Sequence, residues 1–249
     1  MTDRDAETLV HKATTFADDL TERIGRIVPL DTPLSATILV GRAGDSRVTV
    51  APYRSGEIVA LPLAIDGVRR LDLHVKLNCC WDSARSFLAV EESWFHVIPT
   101  GDRMPTPLFR YEYLRACRRS VPAAHLHVHA HRDEFAHALI AAEKGKARQR
   151  WRTGKPPRMA EFHFPLGGHR FRPCVEDVLN AVVVEFGVDR CDGWDAAVEE
   201  GREAWRRTQL RSAVRDCPEE ARRALEELDA EAAAEGRTLC DNPARLRAY

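Results

Sequence analysis

Histidine occupies every second position over seven consecutive residues of this chain, and this spacing restricts the local backbone more than any other feature. The four residues are His125, His127, His129 and His131. Side chains of a β-strand alternate between two faces, so an extended backbone places all four imidazoles on one face and the apolar residues between them on the other. The segment therefore predicts a strand with one face toward the core and a histidine face that borders a water-accessible hollow.

Imidazole suits such a face to chemistry, because it changes charge near neutral pH and is the commonest metal ligand. In one interpretation His127 and His129 chelate a divalent ion such as zinc, and Glu161 or His163 supplies a third ligand. In a second, the histidines act without a metal, as nucleophile, general base and general acid on a phosphate ester. A third interpretation is non-catalytic: the histidines bind a partner or buffer a metal. All four residues of the histidine row are candidate catalytic residues, and the identity of any cofactor stays open.

The composition indicates a globular protein without a membrane partner. The chain has 249 residues, of which 44% are hydrophobic and 30% charged, enough for one substantial core or a core with a small appendage. No run approaches the roughly 20 apolar residues needed to span a bilayer, and acidic groups interrupt the first thirty residues. These two features predict a cytoplasmic location. The seven cysteines lack a metal-binding or redox spacing, so we expect reduced thiols.

The hydrophobic pattern changes along the chain from helical to alternating and back to helical. Apolar residues at steps of three and four predict a helix over residues 4–27. Strands are predicted at residues 35–41, 46–53, 57–64, 69–79, 86–98, 108–114 and 124–131, with a further short strand near 160–166. Further helices are predicted at residues 132–143, 175–186, 192–215 and 218–234.

The short, turn-like separators between the strands favour antiparallel pairing of consecutive strands. We therefore predict an α+β protein, with an antiparallel meander sheet of about seven strands, an N-terminal helix and C-terminal helices. Residues 1–172 form the sheet domain that carries the histidine strand, and residues 173–249 form a helical region packed on it.

Three other segments bring polar side chains toward the histidine face. Alternation in residues 160–166 sends Glu161 and His163 to that side. In residues 109–113, either the pair Arg110 and Glu112 or the two tyrosines share the face, and the sequence leaves the register open. A glycine pair followed by basic residues at 169–172 suits phosphate or carboxylate. The candidate phosphate-binding residues are His163, His169, Arg170, Arg172 and Arg110.

A basic segment between residues 144 and 158 is typical of contact with a phosphate backbone. It contains seven lysines or arginines, one tryptophan and no acidic residue. The alternative is a solvated surface loop. The candidate nucleic-acid-binding residues are Lys146, Arg148, Arg150, Trp151 and Arg152.

Residues 125–130 resemble the histidine triad motif of nucleotide hydrolases and transferases. The resemblance implies that His127 attacks an α-phosphate and that His125 and His129 support it. His131 stands where that family has an apolar residue. Residues 109–113, 122–131 and 162–173 together also resemble a family of bacterial proteins, and more distantly small toxins encoded beside nucleotidyltransferase-like antitoxins.

These features predict a phosphoester-processing enzyme, either a nuclease or a nucleotide hydrolase, with the histidine row at its centre. Its expected partner is a nucleotide or a nucleic acid. The alternative is a non-enzymatic regulatory module of toxin/antitoxin type that binds a metal or a protein through the same surface.

Overall fold

A computed structural model describes residues 3–40, 46–82, 85–101, 106–116, 121–130, 152, 159 and 162–249. The helices are α1 (Asp3–Ile27), α2 (Val175–Phe186), α3 (Trp194–Asp216), α4 (Pro218–Glu235) and α5 (Pro243–Arg247). The strands are β1 (Leu34–Val40), β2 (Ser46–Arg54), β3 (Glu57–Ile58), β4 (Leu61–Ile65), β5 (Val68–Trp81), β6 (Leu88–Pro99), β7 (Phe109–Leu114), β8 (Ala124–Val128) and β9 (Phe164–Pro165).

The strands form one antiparallel sheet in the order β1-β2-β5-β6-β7-β8-β9, with β3 paired to β2 and β4 paired to β5. This arrangement confirms the predicted α+β class with an N-terminal helix and C-terminal helices. The predicted strand at residues 57–64 is divided into β3 and β4, because its second half pairs with β5. As a result β2 and β5 become neighbours, which interrupts the simple meander.

Two tight turns explain how the hairpins on this side of the sheet close. Ser55 and Gly56 have φ values of 52° and 85°, and Asp66 and Gly67 have values of 52° and 73°. Two successive residues with positive φ match the twist of paired antiparallel strands. The glycines carry this conformation without a steric penalty, so the turn residues determine where each hairpin reverses.

The apolar core lies on one face of the sheet, under α1 and the first two C-terminal helices. Alternate residues of β5 enter this core, including Leu73 and Val75, and they meet the apolar stripe of α1. The same cluster contains Leu179 of α2 and Val198 of α3. Helices α2 and α3 therefore contribute to the core beneath the sheet, while the proposed division at residue 172 stays a prediction.

Helix α2 begins and ends as its sequence predicts. The backbone N–H of Cys174 donates to the carboxylate of Asp177, and Gly187 ends the helix with a φ of 69°. Its first turn carries Glu176, which is fully buried and pairs with Arg23 of α1 at 3.2 Å. This ion pair joins α2 to α1.

None of the helices among the described residues combines the length and the apolar character that crossing a bilayer requires. The helix predicted at residues 132–143 lies outside the described residues.

Candidate metal centre

The face of the sheet opposite the core carries the polar side chains of four neighbouring strands. The pairing register aligns His74, His96, Arg110 and His127 across β5, β6, β7 and β8. The adjacent line of the register contains Lys76, Trp94, Glu112 and His125. The two rows are two positions apart along each strand, and side chains two positions apart point to the same face. These eight residues therefore share one surface, which we call the histidine face.

The register of β7 decides between the two arrangements that its sequence allowed. Glu112 pairs with His125 and Arg110 pairs with His127, so both lie on the histidine face. Tyr113 lies on the opposite face, where it is buried with Ala123 and Ala124. The histidine face therefore carries a carboxylate and a guanidinium group next to its imidazoles.

Three imidazoles converge at the end of this face, and they could hold a metal ion. His125, His127 and His163 each offer a nitrogen, and these three atoms lie within 4.8 Å of one another. The ring of His163 lies 4.4 Å from that of His127 and 4.8 Å from that of His125, measured between centroids. We call these residues the imidazole trio. The pairing of β8 with β9 brings the trio together. Leu126 pairs with Phe164, and the same register extended by one residue places His163 opposite His127.

The trio is more enclosed than the sequence led us to expect. His125 and His127 are only 1% and 4% exposed, so the expectation that they border an open, water-accessible hollow is wrong. Their ring nitrogens have polar neighbours, which makes this burial tolerable. Glu112, His96 and Arg110 have side chains that are 16%, 19% and 26% exposed, and they connect the trio to solvent.

Glu112 lies between the trio and this more exposed side, and its two oxygens have different neighbours. Oε1 lies 3.0 Å from Nε2 of His96 and 3.1 Å from Nη1 of Arg110, with which it forms an ion pair. Oε2 lies 3.3 Å from Nε2 of His125 and 3.6 Å from Nε2 of His127. One oxygen is thus anchored, while the other faces two members of the trio.

This environment keeps Glu112 ionised. Burial alone would raise the pKa of its carboxyl group, but hydrogen bonds from His125, His127 and His96, together with the charge of Arg110, hold that pKa well below its ordinary value. A carboxylate with this negative charge next to three imidazoles favours a cation at the same place.

A backbone hydrogen bond at Nδ1 sets the orientation of the His125 ring. Nδ1 lies 2.9 Å from the backbone carbonyl of Pro122, and since a carbonyl can only accept, Nδ1 carries a proton. The other ring nitrogen, Nε2, faces Oε2 of Glu112 at 3.3 Å. A metal ion bound at Nε2 would lie next to the same carboxylate. Metal-bound histidines commonly have such a carbonyl partner on the other nitrogen.

His129 follows the strand but is not part of the trio. Strand β8 ends at Val128, and the backbone N–H of His129 donates to the carbonyl of Leu108. Burial, and then the charge of Arg110, lower the pKa of His129. Its Nε2 is buried and has no hydrogen-bond partner among the described residues. The metal site suggested by the sequence combined His127 and His129 with Glu161 or His163. It therefore shares His127 and the alternative third ligand, His163, with the trio.

Several other predicted site residues fall outside the part of the chain that the structure describes. These are His131, Glu161, Lys146, Arg148, Arg150 and Trp151. Arg152 is described and is exposed to solvent.

The predicted phosphate ligands after β9 lie away from the trio, against residues of the helical face. Nδ1 of His169 is 3.2 Å from the hydroxyl of Tyr113, and the guanidinium of Arg172 lies 3.7 Å from the centre of the same ring. Arg170 donates to Asp216 of α3 at 2.9 Å. The expectation that these three residues adjoin the histidine row is wrong, because Tyr113 alternates with Glu112 and points to the other face. Among the candidate phosphate ligands, His163 and Arg110 do lie at the site.

His96 and Trp94 were missed from the sequence. Alternation along β6 was the available signal, since Ser93, Phe95 and Val97 face the core. Which strand would lie beside them could not be read from that pattern, because it depends on the pairing of β6 with β7.

No protein-family model, curated protein sequence or solved structure matches this chain. The chemistry of the site is therefore inferred from its own residues.

Proposed function

We propose that this protein is a metal-dependent phosphoester hydrolase that acts on a nucleotide or a nucleic acid. In this proposal His125, His127 and His163 bind a divalent ion of the zinc class. The observation that carries it is the convergence of the three imidazole nitrogens within 4.8 Å of one another, beside the carboxylate of Glu112.

Three neutral imidazoles with an open fourth position are one of the common ligand sets of catalytic zinc. Ligand nitrogens around a tetrahedral zinc ion are about 3.4 Å apart, so binding needs small inward movements of the rings. The hydrogen bond from His125 to Pro122 supports this role because it orients the ring and leaves Nε2 for the ion.

Glu112 is the proposed general base. Once Nε2 of His125 and His127 binds a metal ion, neither atom can donate to Oε2 of Glu112. Oε2 would then be free to accept a proton from a water molecule beside the ion. His96 and Arg110 continue to hold Oε1 and so orient the carboxylate.

The proposed reaction is the attack of water on a phosphate ester. Oε2 of Glu112 takes a proton from the water, the new oxygen–phosphorus bond forms, and the bond to the leaving oxygen breaks. That oxygen then receives the proton from Glu112. The metal ion supplies charge stabilisation to the phosphate oxygens when it is bound.

Arg110 is the proposed ligand for the phosphate group. Its side chain is partly exposed beside Glu112, and its Nε is buried without a hydrogen-bond partner among the described residues. Guanidinium groups bind phosphate oxygens through two parallel hydrogen bonds. A phosphate at this position would satisfy the unpaired donor and lie next to the trio.

We propose a cytoplasmic location as well. Cysteines in the described part of the chain, including the exposed Cys217 and Cys240, are free thiols, which suits a reducing compartment.

The test combines metal content with hydrolysis. Purified protein is analysed for metals, then stripped with a chelator, reloaded with zinc and assayed with bis(4-nitrophenyl) phosphate. We expect one zinc ion per chain and zinc-dependent hydrolysis, both lost in His127→Ala and both kept in His11→Ala, which removes an exposed histidine of α1. Stoichiometric zinc without hydrolysis of this ester or of nucleotides would favour the non-enzymatic metal-binding module. Absence of bound metal would contradict the proposal.

A further inference from the structure

An indole ring lies on the polar side of the sheet next to the imidazole trio. Trp94 of β6 pairs with Glu112 of β7, which in turn pairs with His125 of β8. Trp94 is partly exposed and does not belong to the apolar clusters formed by the described residues. Phe95 and Val97 of the same strand belong to the core cluster on the other face.

The groups around Trp94 include a second aromatic ring and a cation. The ring of His96 is nearly parallel to the indole, with an interplanar angle of 16° and a centroid distance of 6.0 Å. Nζ of Lys76 lies 4.6 Å from the centre of the indole ring. Parallel aromatic rings with a cation beside them are the combination on which proteins stack nucleic-acid bases.

An apolar ring that only filled space would be better placed on the core face. Leaving an indole partly exposed among polar groups gives up favourable burial of apolar surface. A ligand that covers the ring would recover this burial. Lys76 and Arg110 offer positive charge to the phosphate of a ligand, beside the carboxylate of Glu112.

We infer that Trp94 and His96 bind the base of a nucleotide whose phosphate lies at the imidazole trio. This inference rests on the proposed function and adds to it the part of the substrate that is recognised. Trp94 and His125 are two strand spacings apart, about 10 Å between backbones. Since a sugar separates base from phosphate in a nucleotide, one nucleotide reaches from the indole to Arg110 and the trio.

Binding measurements with matched ligands test the inference. Zinc-loaded protein is titrated with adenosine 5′-monophosphate and with ribose 5-phosphate, which lacks the base. We expect the nucleotide to bind at least about 5-fold more tightly and to quench tryptophan fluorescence. Trp94→Ala should remove this advantage and leave ribose 5-phosphate binding unchanged, while Trp94→Phe should retain most of it. Trp205→Phe, on the helical side, is the control for fluorescence, and thermal unfolding checks that each variant is folded.

The two proposals fail in different ways. Equal binding of the two ligands by the unmodified protein, or equal losses for both in Trp94→Ala, would overturn the inference and leave the metal-dependent hydrolase standing. Nucleotide binding that depends on Trp94 in a protein that holds no zinc would support the inference and contradict the hydrolase. If an adenine oligonucleotide binds more tightly than the mononucleotide, again through Trp94, the ligand is a single-stranded nucleic acid rather than a free nucleotide.

Discussion

Nε2 of His125 lies 3.3 Å from Oε2 of Glu112 on the neighbouring strand, while the other nitrogen of the same ring is held by the carbonyl of Pro122. The carbonyl of Pro122 therefore orients the ring through Nδ1, and Nε2 faces the carboxylate of Glu112. Such an arrangement suits a metal ligand with an adjacent base better than a histidine that only packs.

The first prediction concerns the carboxylate as a base. Glu112→Gln keeps the size of the side chain but removes the carboxylate that accepts the proton. We expect hydrolysis by the zinc-loaded protein to fall by about 100-fold or more, with zinc still bound. Glu92→Gln, a change on the same face, should leave the rate within a few-fold of the unmodified protein. Equal rates for the two variants would show that Glu112 takes no part.

The second prediction concerns the pH dependence of metal binding. Imidazole binds a metal ion only in its neutral form, so protons compete with zinc as the pH falls. Between about pH 7.5 and about pH 5.5, we expect the zinc affinity to fall by at least about 10-fold, measured by competition with a chelator. A constant affinity over this range would argue against histidine ligands.

The fold could be predicted where local signals set the outcome. Helix α2 matches its predicted bounds because Asp177 caps its first turn and Gly187 ends it. The histidine strand is shorter than predicted, since pairing with β7 stops at Val128. Whether pairing continues depends on the partner strand, which the periodicity of one segment does not contain.

The site was predictable to a similar extent. Alternation placed His163 on the correct face, and the pairing of β8 with β9 then brought it to His127. His169 and Arg172 were assigned to the same surface, but the chain turns away after β9. Gly167 and Gly168 have φ values of 48° and 62°, and this backbone reversal sends the following residues to the helical face. A local pattern could indicate a turn there but not its direction.

The third prediction tests the packing of the C-terminal helices. A Cβ atom added to Gly201 of α3 would overlap Oε1 of the buried Glu176, which pairs with Arg23. Helix propensity alone would make Gly201→Ala stabilising by about 1 kcal/mol. We expect the opposite sign, with a loss of about 1–3 kcal/mol in the free energy of unfolding by urea, because Glu176 must be displaced. Gly25→Ala in α1, which meets only ordinary contacts, should be neutral or stabilising.

The fourth prediction concerns Cys79 in the core. Burial raises the pKa of its thiol to about 12, so the reactive thiolate is scarce at ordinary pH. We expect Cys79 to resist alkylation at about pH 8 in the folded protein, while the exposed Cys217 and Cys240 react. The unfolded chain releases this proton at lower pH, so Cys79 contributes stability that declines as the pH rises above about 8.5. Mass spectrometry of alkylated peptides, with and without urea, measures the difference, and rapid labelling of Cys79 in the folded protein would contradict the placement of β5.

The zinc content of two single variants tests the central claim most directly. In the proposed site the third ligand is His163, directly before β9, and His129, the next member of the histidine row, lies outside the site. Elemental analysis of zinc-loaded, dialysed protein should find one ion per chain in the unmodified protein and in His129→Ala, and none in His163→Ala. Retention of zinc by His163→Ala with loss from His129→Ala would contradict it.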